Sequence, residues 1–138
     1  MANTFRLEIV TPEARTYSDD VEMVVLPGED GEMGILPLHA PLLSMLKPGE
    51  LRLKKDGQET SMAIGEGFVE VGPDRVSVIT ELAIEEKFID EAATVAAIER
   101  AQAALKERDI GGEELATIES NIARSMAQLN LKRKRRSH

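Results

Sequence analysis

Cysteine and tryptophan are absent from this 138-residue sequence, and histidine occurs twice, once as the final residue. Without cysteine there are no disulfides, thiolate metal sites or cysteine nucleophiles, and two histidines are too few for a histidine-rich metal site. Aromatic residues make up 3% of the chain, which argues against stacking platforms for single-stranded nucleic acid. No apolar run approaches the roughly 20 residues of a membrane helix. The start, MANTFRLEIV, has no signal-peptide pattern. We therefore expect a soluble intracellular protein with no metal site and no membrane insertion.

The charge is uneven along the chain. The net charge is −8, but residues 1–87 carry 8 basic and 17 acidic side chains, whereas residues 88–138 carry 9 and 8. Five of those nine basic residues form one run near the end of the chain: Lys132, Arg133, Lys134, Arg135 and Arg136. The acidic first part disfavours a nucleic-acid partner. The basic tip either contacts an acidic surface or is a solvated terminus.

The first part of the chain has the pattern of short strands. Phe5, Leu7 and Ile9 alternate with outward positions, which is the period-two signature of a half-buried strand. Similar runs cover residues 4–11, 21–26, 51–54, 60–64, 68–71, 75–80 and 82–84. Asp56-Gly57 predicts a tight hairpin, and Pro27-Gly28 is expected to end the second run. Strands at this spacing predict an all-β sandwich or barrel over residues 1–87, and no gap accommodates the crossover helices of a parallel sheet.

After Lys87 the apolar residues recur at the spacing of helices instead of strands. Asp90 is a good N-cap for a helix over residues 91–108, whose alanines at 93, 97, 101 and 104 share one face. Gly111-Gly112 should end this helix, and Glu113 should open the next. The second helix carries the apolar stripe Leu115, Ile118, Ile122, Met126 and Leu129. Residues 88–138 therefore predict an antiparallel helical hairpin.

No catalytic motif is present in the sequence. His39 lies in an apolar turn beside Pro41 with no nucleophile next to it, so a structural or interface role is favoured over general-base catalysis. The segment 28–34, GEDGEMG, carries three carboxylates, which disfavour phosphate, and it lacks calcium-loop spacing. It is interpreted either as a solvated loop or as an exposed acidic recognition loop.

The segment 28–43, GEDGEMGILPLHAPLL, resembles the epsilon subunit of F-type ATP synthases, whose pattern runs G-x-x-G-x-[LMI]-G-[IV]-x-x-x-H-A-P-[LI]-[LI]. Residues 47–49, 65–71 and 89–93 resemble the same family in the same order, so the likeness covers essentially the whole chain. The resemblance implies a ten-stranded sandwich followed by a C-terminal helical hairpin.

The resemblance also implies a non-catalytic role. Such a subunit joins the gamma subunit to the c-ring at the foot of the rotating stalk, on the cytoplasmic face of the bacterial plasma membrane. It supports rotary, proton-driven ATP synthesis, and its hairpin restrains ATP hydrolysis through the alpha and beta subunits; whether the coupling ion is H⁺ or Na⁺ stays open. The residues implied for these contacts are Glu29, Asp30, Gly31 and Glu32 for the c-ring; Thr11, His39 and Ser44 for gamma; and Arg124 with Lys132, Arg133, Lys134, Arg135 and Arg136 for the inhibitory contact.

The sequence departs from the family at a nucleotide pattern, [IL]-D-x-x-R-A, by which some members bind ATP. Aligned with residues 96–101, Arg100 and Ala101 match, but the Asp position is Ala97. Arg100 and Arg108 are therefore doubtful nucleotide ligands, and no cofactor is expected. The alternative function is a free-standing sandwich that binds a protein through its basic tail. An enzyme would need a site that the sequence does not contain.

Overall fold

The computed structural model describes residues 4–13, 15–107 and 111–136. Within these ranges the chain forms ten strands, a short 3-10 turn and two helices. Their bounds are β1 Phe5–Val10, β2 Arg15–Val21, β3 Met23–Gly28, β4 Gly31–Ile35, β5 Leu42–Leu46, β6 Gly49–Lys55, β7 Gln58–Ile64, β8 Gly67–Val71, β9 Arg75–Thr80, β10 Ala83–Glu85, the turn Glu86–Phe88, α1 Glu91–Glu107 and α2 Gly112–Arg136. A β-sandwich followed by two helices was predicted, and this architecture is confirmed.

All ten strands belong to one sheet that curls into two facing layers. The order is β10-β7-β6-β3-β5-β8-β9-β1-β2, and β4 pairs with β3 beside this path. The sheet curls back on itself, so that β2, at one end, meets β6, where Asp19 and Lys55 form an ion pair. The inward positions of both layers form one core of aliphatic side chains, which includes Leu7, Leu26 and Met62. The low aromatic content is thus offset by dense packing of branched residues.

The Asp56-Gly57 hairpin and the alternation of β1 are confirmed. Asp56 and Gly57 have φ angles of 52° and 77°, which is the left-handed pair that a two-residue hairpin turn requires. On β1, Phe5, Leu7 and Ile9 are buried. Local turn chemistry and period-two patterning therefore determine these elements.

Several strands differ from the predictions. β2, β4 and β5 were not predicted from the pattern, because β2 is polar and β4 is rich in glycine. The predicted strand 21–26 is divided at Glu22, where β2 ends and β3 begins. Pro27 and Gly28 do not stop the strand before them but form its last two residues, since Pro27 pairs with Glu32 across the β3–β4 hairpin. The segment 28–34 is consequently a hairpin rather than an irregular loop.

One pair of strands is parallel, whereas all the other pairs among the described strands are antiparallel, which agrees with the argument against a parallel sheet. β1 and β9 run side by side in parallel, with Leu7 opposite Val76 and Ile9 opposite Val78. Most of the sandwich serves as the connection between them, so no crossover helix is required.

The two helices pack against each other and on the sheet. Asp90 caps α1 as predicted, because its carboxylate accepts a hydrogen bond from the Ala93 amide at 3.0 Å. Arg133, near the end of α2, is 3.9 Å from Glu91 at the start of α1, so the helices are antiparallel. In the predicted apolar stripe, Leu129 is buried but Met126 is 38% exposed. A second small core forms where Leu131 of α2 packs on Ala63 of β7 and on Ile89.

Candidate functional site

The β3–β4 hairpin presents an acidic tip to solvent. Glu29, Asp30, Gly31 and Glu32 are all exposed. Glu29 and Asp30 form the turn, and Glu32 lies on β4, where the strand pairs with Pro27. The Glu32 side chain is 61% exposed and makes an ion pair at 3.1 Å with Arg52 of β6. The hairpin therefore displays four predicted contact residues together, on a rigid element.

The three residues predicted to contact gamma lie in different environments. Thr11 follows β1 and lines a groove with Met45 and Phe68. Ser44 is half-buried and pairs with the buried Val69, which places it on the core side of β5. The structure therefore does not present Ser44 on the same face as Met45.

His39 lies in the loop between β4 and β5, which exposes apolar side chains. The His39 Nδ1 atom is 2.7 Å from the carbonyl oxygen of Ala40 and donates to it in the tautomer protonated there. Leu36 is 58% exposed and Leu38 is 84% exposed. Leu38 also has a φ of 65°, in the left-handed region that is uncommon for residues with a side chain. The loop thus holds its apolar tip away from the sandwich.

An apolar row on the outer face of the sheet was not predicted from the sequence. Val10 pairs with Ile79, Ile79 with Phe68, and Phe68 with Met45, so the row crosses β1, β9, β8 and β5. Met45 is 54% exposed, and Leu43 beside it on β5 is 69% exposed. The apolar run 42–46, with one serine, is the sequence signal that could have revealed it. Exposed apolar patches of this kind mark interaction surfaces.

The basic end of α2 is paired with the sandwich and with α1. Lys134 donates to Glu50 of β6 at 2.8 Å, and Lys132 lies 3.4 Å from a Glu86 carboxylate oxygen. Arg133 faces Glu91, as noted above. Arg135 and Arg136 end the helix, and their side chains lie outside the described part of the chain. The expectation of a solvated basic terminus therefore does not hold for Lys132 and Lys134.

Arg124 anchors the middle of α2. Its guanidinium lies 3.7 Å from the Glu81 carboxylate, between β9 and β10, and hydrogen-bonds Asn121 on its own helix. Arg124 also lines a shallow groove between the helices with Leu82, Ala97 and others. Predicted as part of the inhibitory contact, Arg124 is engaged with the sandwich in this conformation.

Glu50 and Glu86 are the two least exposed carboxylates among these contacts, and Glu50 carries a perturbed pKa. The Glu50 side chain is 19% exposed. Burial would raise the pKa of Glu50, but hydrogen bonds from Lys134 and Ser61 and the charges of Lys134 and Arg52 together lower it. The carboxylate is consequently charged at neutral pH and holds the cationic end of α2 against β6.

The doubtful nucleotide ligands do not converge in the described residues. Arg100 is exposed on α1, whereas Ala97 and Ala101 line the groove between the helices. Arg108 lies outside the described residues. In a second register that begins at Ile89, Ile89 and Asp90 match the pattern [IL]-D-x-x-R-A, but Ala93 and Thr94 take the Arg and Ala positions. Asp90 is engaged as the helix cap, so neither register assembles a carboxylate with an arginine.

No group of three or more His, Asp or Glu side chains in ranges 4–13, 15–107 and 111–136 is arranged to hold a metal ion. None of the helices in this part of the chain is long and apolar enough to cross a membrane.

Comparison with known proteins links both parts of the chain to one family. The family model described as ATP synthase, Delta/Epsilon chain, beta-sandwich domain, matches residues 4–86. The ATP synthase epsilon chain of Dehalococcoides mccartyi is 41% identical over 133 residues, which cover 96% of this chain and 95% of that protein. The ATP synthase epsilon chain 1 of Methylococcus capsulatus is 44% identical over 130 residues, covering 94% and 92%.

A solved structure has the same fold. A chain in the Euglena gracilis mitochondrial ATP synthase, OSCP/F1/c-ring in rotational state 1, superimposes with a TM-score of 0.73 at 22% identity. The match covers 90% of this chain and 78% of that one. The sandwich and the helices after it are thus shared.

Proposed function

The chain belongs to the delta/epsilon chain family of ATP synthase, and we propose that it serves as the non-catalytic epsilon chain of a rotary F-type enzyme, joining the gamma subunit to the c-ring. The observation that carries this proposal is the sequence identity of about 40% to epsilon chains. The identity extends over almost the full length of this chain and of each relative. The chain would then be a peripheral subunit at the cytoplasmic face of a bacterial plasma membrane. In this role it supplies contacts rather than chemistry.

The outer apolar row is the proposed gamma-facing surface. Met45, Phe68 and Ile79 occupy neighbouring strands, and Thr11 borders them. A stable interface needs an apolar centre with a polar rim, and this row supplies the centre. The exposed loop of Leu38 and His39, just before β5, extends the same surface in our proposal.

The acidic tip of the β3–β4 hairpin is the proposed c-ring contact. Residues 29–32 are exposed on a paired hairpin, so they can reach a partner without losing backbone order. Carboxylates at such a tip suit polar loops that carry basic or amide groups.

The helical hairpin is the proposed regulatory element. In our proposal residues 1–87 and 88–138 form two units, because the described residues of the main core all belong to the sandwich. α2 lies against β6 and β7, where Lys134 forms an ion pair with Glu50 and Leu131 packs on Ala63. In our proposal the helix pair leaves the sandwich and carries its basic end to the alpha and beta subunits, where it restrains hydrolysis.

The alternative function, a free sandwich with a basic docking tail, receives less support. It requires a tail that is available to a partner, whereas Lys132 and Lys134 are paired with Glu86 and Glu50. The family likeness also covers the helical part of the chain.

The c-ring assignment can be tested by cross-linking in the intact enzyme. Since the chain has no cysteine, Glu32→Cys can be labelled with a photoactivatable maleimide, and the adducts identified by mass spectrometry. We expect adducts to a c-ring loop. The matched control is Gln58→Cys, which is also exposed but lies at the opposite end of the sheet from the acidic tip. Adducts from Gln58→Cys alone, or from neither variant, would contradict the assignment.

The gamma-facing surface can be tested by co-purification. Met45→Glu places a charge in the exposed apolar row and should abolish binding to the gamma subunit without unfolding the chain. Met126→Glu on α2 is the control, because Met126 is also a partly exposed methionine and lies outside the row. Equal retention of gamma by both variants would refute this part of the proposal.

A further inference from the structure

Four charged side chains connect the end of α2 to the acidic hairpin tip. Lys134 contacts Glu50 at 2.8 Å, Glu50 contacts Arg52 at 3.4 Å, and Arg52 contacts Glu32 at 3.1 Å. Residues 32 and 134 are 102 positions apart in the sequence. The row therefore joins the proposed c-ring contact at Glu32 to the contact between α2 and β6 at Lys134, and we name these four residues the charge relay.

The two inner residues of the charge relay, Glu50 and Arg52, each contact two other members. Glu50 accepts from both Lys134 and Arg52, and Arg52 donates to both Glu50 and Glu32. Their side chains are 19% and 25% exposed, whereas those of Lys134 and Glu32 are 51% and 61% exposed. Inner charges that are shielded from water interact more strongly than surface pairs. A change in the charge of Glu32 therefore alters the contact of Lys134 with Glu50, and the reverse also holds.

The direction of the effect follows from the signs of the charges. Glu32 balances part of the positive charge of Arg52. When Glu32 is neutralised or occupied by another cation, Arg52 has Glu50 as its remaining carboxylate in the relay. Arg52 then competes with Lys134 for Glu50 and repels it, so the contact that holds α2 becomes weaker.

We propose that the charge relay couples the two surfaces: a cationic group of a partner that binds Glu32 loosens the docking of α2 on the sandwich. This inference rests on the proposed function for the identity of the partner, but the coupling itself is a property of the chain. Because coupling between two sites is reciprocal, release of Lys134 from Glu50 also frees Glu32 for a cationic partner. Contact between Glu32 and the c-ring would thereby favour the state in which the helical hairpin has left the sandwich.

Docking can be measured by thiol labelling of the full chain. Ala63 is completely buried beneath Leu131, so the Ala63→Cys thiol reacts with a disulfide reagent when α2 lifts from the sheet. If reclosing is fast, the labelling rate reports the open fraction. Ala127→Cys, on the facing side of α2 and 9% exposed in the parent, provides a second reporter should the first variant fold poorly.

The test is a mutant cycle in this reporter background. Glu32→Gln should raise the labelling rate about two- to fivefold, the size expected for a partly exposed charge pair. The same substitution should have no effect in chains that carry Arg52→Gln, which removes the link, or Lys134→Gln, which removes the end point. The control is Asp30→Asn, which removes one charge from the same exposed turn.

The labelling rates distinguish the charge relay from a general effect of charge at the hairpin tip. A rise with Glu32→Gln that disappears without Arg52 supports the relay. An equal rise with Asp30→Asn, a rise that persists without Arg52, or no rise at all overturns it. No partner is present in this experiment, so its failure leaves the c-ring assignment standing, and failure of the Glu32→Cys cross-link leaves the relay standing.

Discussion

The side chain of Arg124 lies directly on Gly65. A β-carbon added to Gly65 would stand 3.1 Å from Cδ and 3.2 Å from Cγ of Arg124, and 3.4 Å from Cβ of Leu82. Gly65 is buried in the connection between β7 and β8. The absence of a side chain there lets the aliphatic part of Arg124 approach the sheet, while its guanidinium reaches Glu81. One glycine of the sandwich thus helps to dock the helix.

Gly65→Val should weaken the docking of α2. Overpacking at a close contact costs about 1–3 kcal/mol, so the Ala63→Cys labelling rate should rise roughly 5- to 150-fold. Gly34→Val is the matched control, because no atom lies within 4 Å of its added β-carbon. A labelling rate unchanged by Gly65→Val would show that Arg124 shifts aside without loss of docking.

A chain that ends near Lys87 should fold without the helices. The sixteen buried residues of the main core all lie between Phe5 and Val78, and the truncation removes the cover of Ala63 at a cost of about 1–3 kcal/mol. Cooperative thermal unfolding at a lower midpoint is expected by circular dichroism. For comparison, Leu7→Ala in the full chain should cost about 2–5 kcal/mol. A truncated chain without a cooperative transition would show that the two units are not independent.

Two sets of substitutions, one in the carboxylates that hold the basic end of α2 and one in the basic run itself, should change ATP hydrolysis in opposite directions. Changing Glu50 and Glu86 to Gln releases Lys134 and Lys132 but keeps them charged, so the assembled enzyme should hydrolyse ATP more slowly at low salt. Changing the basic run Lys132–Arg136 to Gln also loosens docking, but it removes the attraction to an acidic partner, and hydrolysis should be faster than in the parent.

High salt should reduce both differences, because screening shortens the reach of exposed charges. ATP hydrolysis by the assembled head, measured at low and high salt, decides this prediction. If the two variants change hydrolysis in the same direction, the basic run is not an inhibitory contact.

Binding of ATP by the isolated chain should be weak or absent. Loss of one charge-assisted hydrogen bond at Ala97 costs about 1.5–3 kcal/mol, or roughly a factor of 10 to 150 in affinity. Titration calorimetry checks this expectation, and Ala97→Asp is the informative variant. Micromolar affinity in the parent would mean that other residues, such as Arg100 with Arg108, replace the missing carboxylate.

Acid should loosen the docked hairpin. The pKa of Glu50 lies below its ordinary value of 4.5 because the charges and hydrogen bonds of its partners outweigh its burial. A carboxylate with a lowered pKa contributes stability that is present above its ordinary value and is lost as the pH falls through the lowered one. The protection of α2 amides against hydrogen exchange, taken relative to the intrinsic exchange rate at each pH, should therefore fall below about pH 4.5, and Glu50→Gln should flatten this dependence. A profile unaltered by Glu50→Gln would place the acid effect elsewhere.

Much of the fold could be predicted because it is encoded by neighbouring residues. The alternation of Phe5, Leu7 and Ile9 gives β1, Asp56-Gly57 gives a tight hairpin, and Asp90 caps α1. Such signals act within a few positions, so they survive in a single sequence. β2 escaped prediction because its polar residues carry no clear period, and its place in the sheet depends on its partner β1.

The candidate interaction surfaces also divide into features that the sequence indicates and features that only the tertiary structure decides. By itself the sequence indicated the exposed acidic segment at Glu32, the basic run after Leu131 and the two classes of element. Tertiary structure alone decided that β1 and β9 pair in parallel, that Met45 and Phe68 join one apolar row, and that Lys134 meets Glu50. The physical reason is range: propensity and turn chemistry are local, whereas these contacts join strands and helices far apart in the chain and exist only once the sheet has curled.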